Sequence, residues 1–239
     1  MIREIKGVNV KTQATKDVSM RALIFDLDGT LVDTVYAHVF SWQLALAEAG
    51  MAIDGWFIHR RVGMSGGLFT RAVARELARD ISHQEAETLQ RRHRELFSQL
   101  LPERRPLPGA VELLAFLRSA KIPYAIATSG RRPEINASLE TLKVGEEVKV
   151  ITYGDVERAK PEPDLFLASQ QRLGVRVEDC YVVGDAVWDI LAARRAGMLS
   201  IGLLSGGYGE DELSRAGAFR VYRDPLELHR SLDELGILP

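Results

Sequence analysis

Short, wholly apolar runs alternate with longer stretches of helical period along most of this chain. Arg21–Asp26 (RALIFD), Ile122–Thr128 (IPYAIAT), Val148–Thr152 (VKVIT), Cys180–Gly184 (CYVVG) and Leu199–Leu203 (LSIGL) read as strands buried on both faces. Helical patterns occupy Gly109–Ala120, Pro133–Leu142, Pro163–Leu173 and Val187–Ala196. Strands alternating with helices of this length predict βαβ units, and so an α/β fold with a doubly wound parallel sheet.

The alternation breaks after the first strand. From about Tyr36 to Arg105 no strand pattern occurs. Val35, Val39, Trp42 and Leu46 instead mark one helix face, and Ala86, Leu89, Leu96 and Leu100 mark another, with His93 lying on it. The segment leaves through the proline-rich stretch Leu101–Gly109, which reads as a linker. The predicted organisation is an N-terminal extension (1–19), a core domain (20–35 and 106–239) and an all-helical cap domain inserted at 36–105.

Composition narrows the function classes. With 46% hydrophobic and 27% charged residues, the 239-residue chain has the make-up of a globular protein with a full core. Its 31 basic and 33 acidic residues leave a net charge of −2, which points to neither nucleic acid nor an acidic membrane as partner. No apolar stretch reaches the ~18 residues that suggest a membrane span, and residues 1–19 lack the apolar centre of a signal peptide. The only cysteine, Cys180, lies in an apolar run and reads as a buried, inert thiol. A cytoplasmic monomer or homodimer is expected.

In such a sheet, ligands bind beyond the carboxyl ends of the strands. Four polar groups fall there. Asp26-Leu27-Asp28-Gly29-Thr30 presents two carboxylates from one turn, one able to attack an electrophile while the other handles protons. Thr128-Ser129-Gly130 offers a hydroxyl and N–H groups suited to a phosphoryl oxygen. Lys160, followed by Pro161 and Pro163, offers an ammonium held on a fixed path. Asp185 and Asp189 lie one helical turn apart and supply the oxygens Mg²⁺ prefers. Each signal alone also fits ordinary structure: a polar turn, a Ser-Gly loop, a surface lysine, a helix cap. Together they furnish nucleophile, hydroxyl, cation and metal ligands in one crevice, which independent turns would not.

These motifs, DLDGT, TSG, K-P-x-P and GDxxxD in this order, resemble the signatures of the haloacid dehalogenase superfamily. Its phosphoglycolate phosphatase and β-phosphoglucomutase-like branch carries a helical cap on a Rossmann-like core. The resemblance implies that Asp26 attacks phosphorus and forms an aspartyl-phosphate, and that Asp28 protonates the leaving oxygen and then activates water. It further implies Mg²⁺ held by Asp26, the Asp28 carbonyl and Asp185, with Asp189 as an outer ligand. Ser129 and Lys160 would hold phosphoryl oxygens, together with Gly29, Thr128 and Gly130. The implied partner is a small phosphorylated metabolite.

Other chemistries of the superfamily fit less well. Dehalogenases characteristically lack the second aspartate, which is present here as Asp28. Phosphonoacetaldehyde hydrolases use a cap lysine, and residues 36–105 contain none. β-Phosphoglucomutases share a histidine at the position of His38, and Thr34 also fits. They carry an arginine after a cap Gly-x-Ser, however, where Gly63-Met64-Ser65 is followed here by Gly66. A mutase and a non-catalytic binding module remain as alternatives. Ile58–Gly67 reads either as a substrate loop, with Arg60, Arg61, Met64 and Ser65 facing the ligand beside His38, or as a solvated turn. Tyr36, Phe40 and Trp42 read as helix packing, His93 as a satisfied interface histidine, and Ser205–Gly209 as a turn.

Overall fold

The structure is a computed structural model that describes residues 21–237; the expected N-terminal extension lies outside them. In chain order, β1 (Ala22–Phe25) is followed by four helices, α1 (Val35–Glu48), α2 (Gly55–His59), α3 (Gly66–Glu76) and α4 (His83–Leu100). Then come α5 (Ala110–Ser119), β2 (Tyr124–Ala127), α6 (Asn136–Thr141), β3 (Lys149–Ile151), α7 (Asp164–Leu173) and β4 (Cys180–Gly184). The chain closes with α8 (Val187–Arg195), β5 (Leu199–Leu203), α9 (Glu210–Ala216), β6 (Arg220–Tyr222) and α10 (Pro225–Arg230).

All six strands are parallel, in the order β3-β2-β1-β4-β5-β6. Strand side chains alternate between faces, so each strand feeds two cores. Leu23 and Phe25 of β1 pack with Leu113 and Leu117 of α5 on one face. Ala22 and Ile24 pack with Phe166 of α7 and Ala193 of α8 on the other. β1 thus lies at the switch point, with β2 on one side and β4 on the other. The crevice beyond the β1 and β4 tips is where this topology places ligands.

The four inserted helices have a core of their own, including Val39, Trp42, Leu46, Phe69, Val73 and Leu89. α1 packs chiefly on α4. Helix α4 starts at a reciprocal cap: the Ser82 hydroxyl accepts from Glu85 N–H at 3.2 Å, and Glu85 accepts from Ser82 N–H. Two expectations need correction here. Leu100, the last residue of α4, is exposed, and Phe97 takes a buried position beside Leu96. Phe40 is also exposed, whereas Trp42 packs; Tyr36 is half exposed and stacks on His59 at 5.5 Å. Cys180 is buried with a free thiol. Among the described residues, no helix is long and apolar enough to cross a membrane.

Candidate active site

Asp26 is the first residue beyond β1, and its N–H donates to Val183 O at 2.8 Å. That bond ties the tip of β1 to β4, which delivers Asp185 directly after Gly184. One turn into α8, Asp189 accepts from Ala186 N–H at 3.1 Å through Oδ2. Asp189 is therefore both a helix-end acceptor and a member of the cluster. Carboxylate oxygens of Asp26, Asp185 and Asp189 come within 4.8 Å of one another, and all three residues are buried. Lys160, only 1% exposed, arrives from the loop before α7; it ion-pairs with Asp26 and lies 2.8 Å from Asp189 Oδ1.

Three buried carboxylates against one ammonium leave negative charge uncompensated, and the protonation equilibria respond. Burial, opposed by Lys160 and aided by the charges of Asp189 and Asp28, pushes Asp26 up to about 7. Burial and the neighbouring Asp189 and Asp26 raise Asp185 well above the carboxylate range, against the Thr30 hydroxyl, which donates to it at 2.8 Å. Burial works against the charge on Lys160, but Asp189 and Asp26 outweigh it and hold the ammonium above its ordinary value. A group of this sort fits a hard divalent cation, which would supply the missing positive charge to oxygen ligands. Among the described residues, the cluster oxygens not engaged by hydrogen bonds or ion pairs are one on Asp26 and Oδ2 of Asp185.

Asp28 stands apart from that cluster, its side chain 23% exposed. Its Oδ1 accepts from the Thr34 hydroxyl at 2.8 Å and faces His38 Nε2 at 3.6 Å. Burial alone would raise its pKa; His38 first, then Thr34 and Lys160, hold it below the ordinary value. In the metal-free protein Asp26 thus holds a proton more tightly than Asp28, the reverse of an ionised nucleophile beside a protonated acid; a cation held at Asp26 would favour its ionised form.

Two glycines make the close approach feasible. Gly29 has φ +84°, and a Cβ there would lie 2.5 Å from Asp185 Oδ2. A Cβ on Gly206 would lie 1.8 Å from the same oxygen. Ser205–Gly209 is indeed a turn, with a 3-10 segment at Leu204–Gly206, but it also walls the carboxylate cluster. Ser205 donates to Gly29 O at 2.6 Å, which closes that wall.

Asp26, Asp28, Ser129 and Lys160 open into a cavity of about 700 Å³ that continues between the sheet edge and the inserted helices. His38, Arg61, Met64 and Ser65 line it, together with an apolar side made by Trp42, Phe69 and Phe97. The loop from His59 to Ser65 is fastened to the core: His59 to Gly206 O at 2.8 Å, Trp188 and Tyr208 to Arg60 O at 3.1 and 2.8 Å, and Ser65 N–H to Lys160 O at 3.3 Å. Ser129 reaches Gly63 O at 3.4 Å.

Some candidate residues turn out differently. Arg60 faces away from the cavity, its guanidinium over the Tyr208 ring at 4.7 Å and 3.2 Å from Glu212. Helical rotation within the loop sends consecutive arginines to opposite sides. Arg61 does line the cavity, lying over Phe57 and donating to its carbonyl. The N–H groups of Gly29 and Gly130 are already committed to Val32 O and Thr128 Oγ1, so neither is free for a phosphoryl oxygen. Thr128 is buried and braces that turn. Thr30, Ser205 and Gly206 were not recognisable as site residues from the chain alone, since their partners lie some 150 positions or more away or on the opposite loop.

The chain matches the haloacid dehalogenase-like hydrolases over residues 20–197, and it belongs to that family. It is 33% identical to the probable phosphatase IndB of Dickeya dadantii, over 81% of this chain and 85% of the relative. It is 34% identical to hexitol phosphatase A of Escherichia coli, over 74% and 80%. β-Phosphoglucomutase of Bacillus subtilis is 30% identical, over 87% and 92%. Among solved structures, a hydrolase from Pseudomonas syringae superposes with a TM-score of 0.87 at 45% identity, covering 90% of this chain and 99% of that one. Family, fold and these relatives make the chain an enzyme, a phosphatase of the haloacid dehalogenase family.

Proposed function

We propose that the enzyme is a Mg²⁺-dependent phosphomonoester hydrolase that works through an aspartyl-phosphate on Asp26. The observation that carries this reading is Lys160 buried against both Asp26 and Asp189 in a cluster of three buried carboxylates. In this scheme an Asp26 oxygen attacks phosphorus and the bond from phosphorus to the ester oxygen breaks. Asp28 gives its proton to the departing oxygen. The Asp28 carboxylate then takes a proton from water, whose oxygen attacks the same phosphorus; inorganic phosphate leaves and Asp26 is restored. Lys160 and the Ser129 hydroxyl hold the non-bridging oxygens, and the ammonium offsets charge as it builds. Mg²⁺, held by Asp26, Asp185 and the Asp28 carbonyl with Asp189 behind them, would neutralise the phosphoryl charge.

The substrate is proposed to be a small phosphorylated metabolite of sugar or polyol type. The relatives named as hexitol phosphatase and β-phosphoglucomutase support that class, as does a cavity with both cationic and apolar walls. Residues 36–105 act in this reading as a cap domain that shields the reaction from water. Its loop carries Gly66 where the mutases carry an arginine, which favours hydrolysis over isomerisation. Phosphate release from a panel of sugar, polyol and two-carbon acid phosphates, with Mg²⁺ and with EDTA, tests the proposal. Mg²⁺-dependent release supports it; isomerisation of glucose phosphates without release, on addition of a bisphosphate, would replace it with the mutase.

A further inference from the structure

Gly66 opens α3 and does not have the positive φ that would call for glycine. Its missing side chain therefore serves space and not conformation. A Cβ there would lie 2.8 Å from Gln90 Oε1 and 2.9 Å from Gln90 Cδ, whereas a Cβ on Gly67 would meet nothing within 4 Å. The Gln90 amide thus occupies the volume into which a side chain at position 66 would project. Both residues line the cavity that holds Asp26 and Ser129.

The cavity face of α4 shows what is distinctive about that amide. Ala86, Gln90, His93 and Phe97 recur at i, i+4, i+7 and i+11 along it, flanked by His83, Glu87 and Arg94. The other polar side chains of this face have protein partners. His83 faces Glu87 at 3.7 Å, Arg94 pairs with Glu134 at 3.1 Å, and His93 lies 3.1 Å from His38. Gln90 is half-buried, and among the described residues its amide has no hydrogen-bond partner. An amide offers two N–H donors and a carbonyl acceptor without charge. It matches groups that both donate and accept, as hydroxyls do and ionised phosphoryl or carboxylate oxygens do not.

We propose that Gln90 is a specificity-determining residue that hydrogen-bonds the hydroxyl groups of a polyol or sugar leaving group, and that Gly66 lacks a side chain to leave the amide that position. The inference rests on the reading of this cavity as a phosphatase site and deepens it. The phosphoryl group is held at the sheet edge, and the amide reads the neutral end of the substrate from the helical side. A missing hydroxyl leaves the amide unpaired, so the ester that lacks it loses affinity.

A pair of matched esters and a double-mutant cycle test it. A hexitol 6-phosphate and hexyl phosphate leave as primary alcohols of equal chain length, and only the first carries further hydroxyls. The ratio of their kcat/KM values should fall about tenfold in Gln90→Ala, chiefly through KM, the scale of one or two hydrogen bonds between neutral groups. Gly66→Ala should lower the same ratio about fivefold, because its Cβ displaces the flexible end of Gln90. Gln90 is still present in that variant, so its reading does not depend on how Gln90→Ala folds. In the Gln90→Ala background, Gly66→Ala should change the ratio less than about twofold, since no amide remains to be displaced. Equal losses on both esters would overturn the proposal and mark a packing role, and additive losses in the double variant would overturn the link to Gly66. A wild type with no preference for the hexitol ester would overturn the proposal and leave the phosphatase reading standing. A wild type that cleaves neither ester sinks that reading and the inference with it.

Discussion

Lys160 lies 2.8 Å from Asp189 Oδ1 and also ion-pairs with Asp26, so one buried ammonium bridges the end of β1 and the first turn of α8. Neither acid lies near Lys160 in the chain. The lysine is the main source of charge balance at the cluster until a metal binds. Lys160→Met should therefore strand buried negative charge and destabilise the metal-free protein by about 3–5 kcal/mol. Thermal melts check this, and Mg²⁺ should recover part of the loss while activity stays absent. A variant as stable as the wild type would mean that the carboxylates are already neutral.

The proton equilibria make a second prediction. Asp26 titrates at about 7 in the folded protein against 3.8 ordinarily. Between those values the folded chain holds a proton that the unfolded chain has released, so this group's contribution to stability falls as pH rises through the window. Asp185 shifts in the same direction. The metal-free melting temperature should fall from pH ~5 to ~8, less steeply in Asp26→Asn, and Mg²⁺ should stabilise more at the upper end. Equal Mg²⁺ stabilisation across that range would contradict the assignment of Asp26 and Asp185 as proton-competing ligands.

Close packing at Gly206 gives a third. Any Cβ there meets Asp185 Oδ2 at 1.8 Å, so Gly206→Ala must move either the loop or the carboxylate. Mg²⁺ affinity should drop at least about tenfold, the scale reported for disturbing the support of a metal ligand. The circular-dichroism spectrum should be unchanged. Calorimetric titration distinguishes this from a general loss of fold.

The paired arginines give a fourth. Arg60 is engaged with Tyr208 and Glu212 outside the cavity, while Arg61 lines it. Arg60→Ala should leave KM within about twofold and cost about 1 kcal/mol of stability, in the range of a half-exposed pair with ring stacking. Arg61→Ala should raise KM for the best substrate. The reverse pattern in steady-state kinetics would place the substrate on the other side of the loop.

The parallel core was legible because β1, β2 and β4 are wholly buried runs and β5 is buried beyond Leu199; β4 and β5 begin and end where their patterns do. β6 escaped notice because it has three residues, one exposed and one half-buried, at the edge of the sheet. Asp26, Ser129, Lys160 and Asp185 could be placed because a parallel fold puts every strand's carboxyl end on one edge. Side-chain direction was not legible. The sequence put Arg60 and Arg61 side by side in a candidate loop, but their separation depends on how that loop docks on Trp188 and Tyr208. The His38–His93 contact likewise spans 55 positions and two helices whose mutual rotation no local pattern specifies.

The central claim is that Asp26 becomes covalently phosphorylated. Acid quench of the enzyme during turnover of p-nitrophenyl phosphate with Mg²⁺, followed by borohydride reduction and peptide mass spectrometry, tests it directly. An aspartyl-phosphate on Asp26 is reduced to homoserine at that position, and the account predicts this product in the wild type and none without substrate. Phosphate release at full rate with Asp26 unmodified, or homoserine at Asp28 instead, would contradict it.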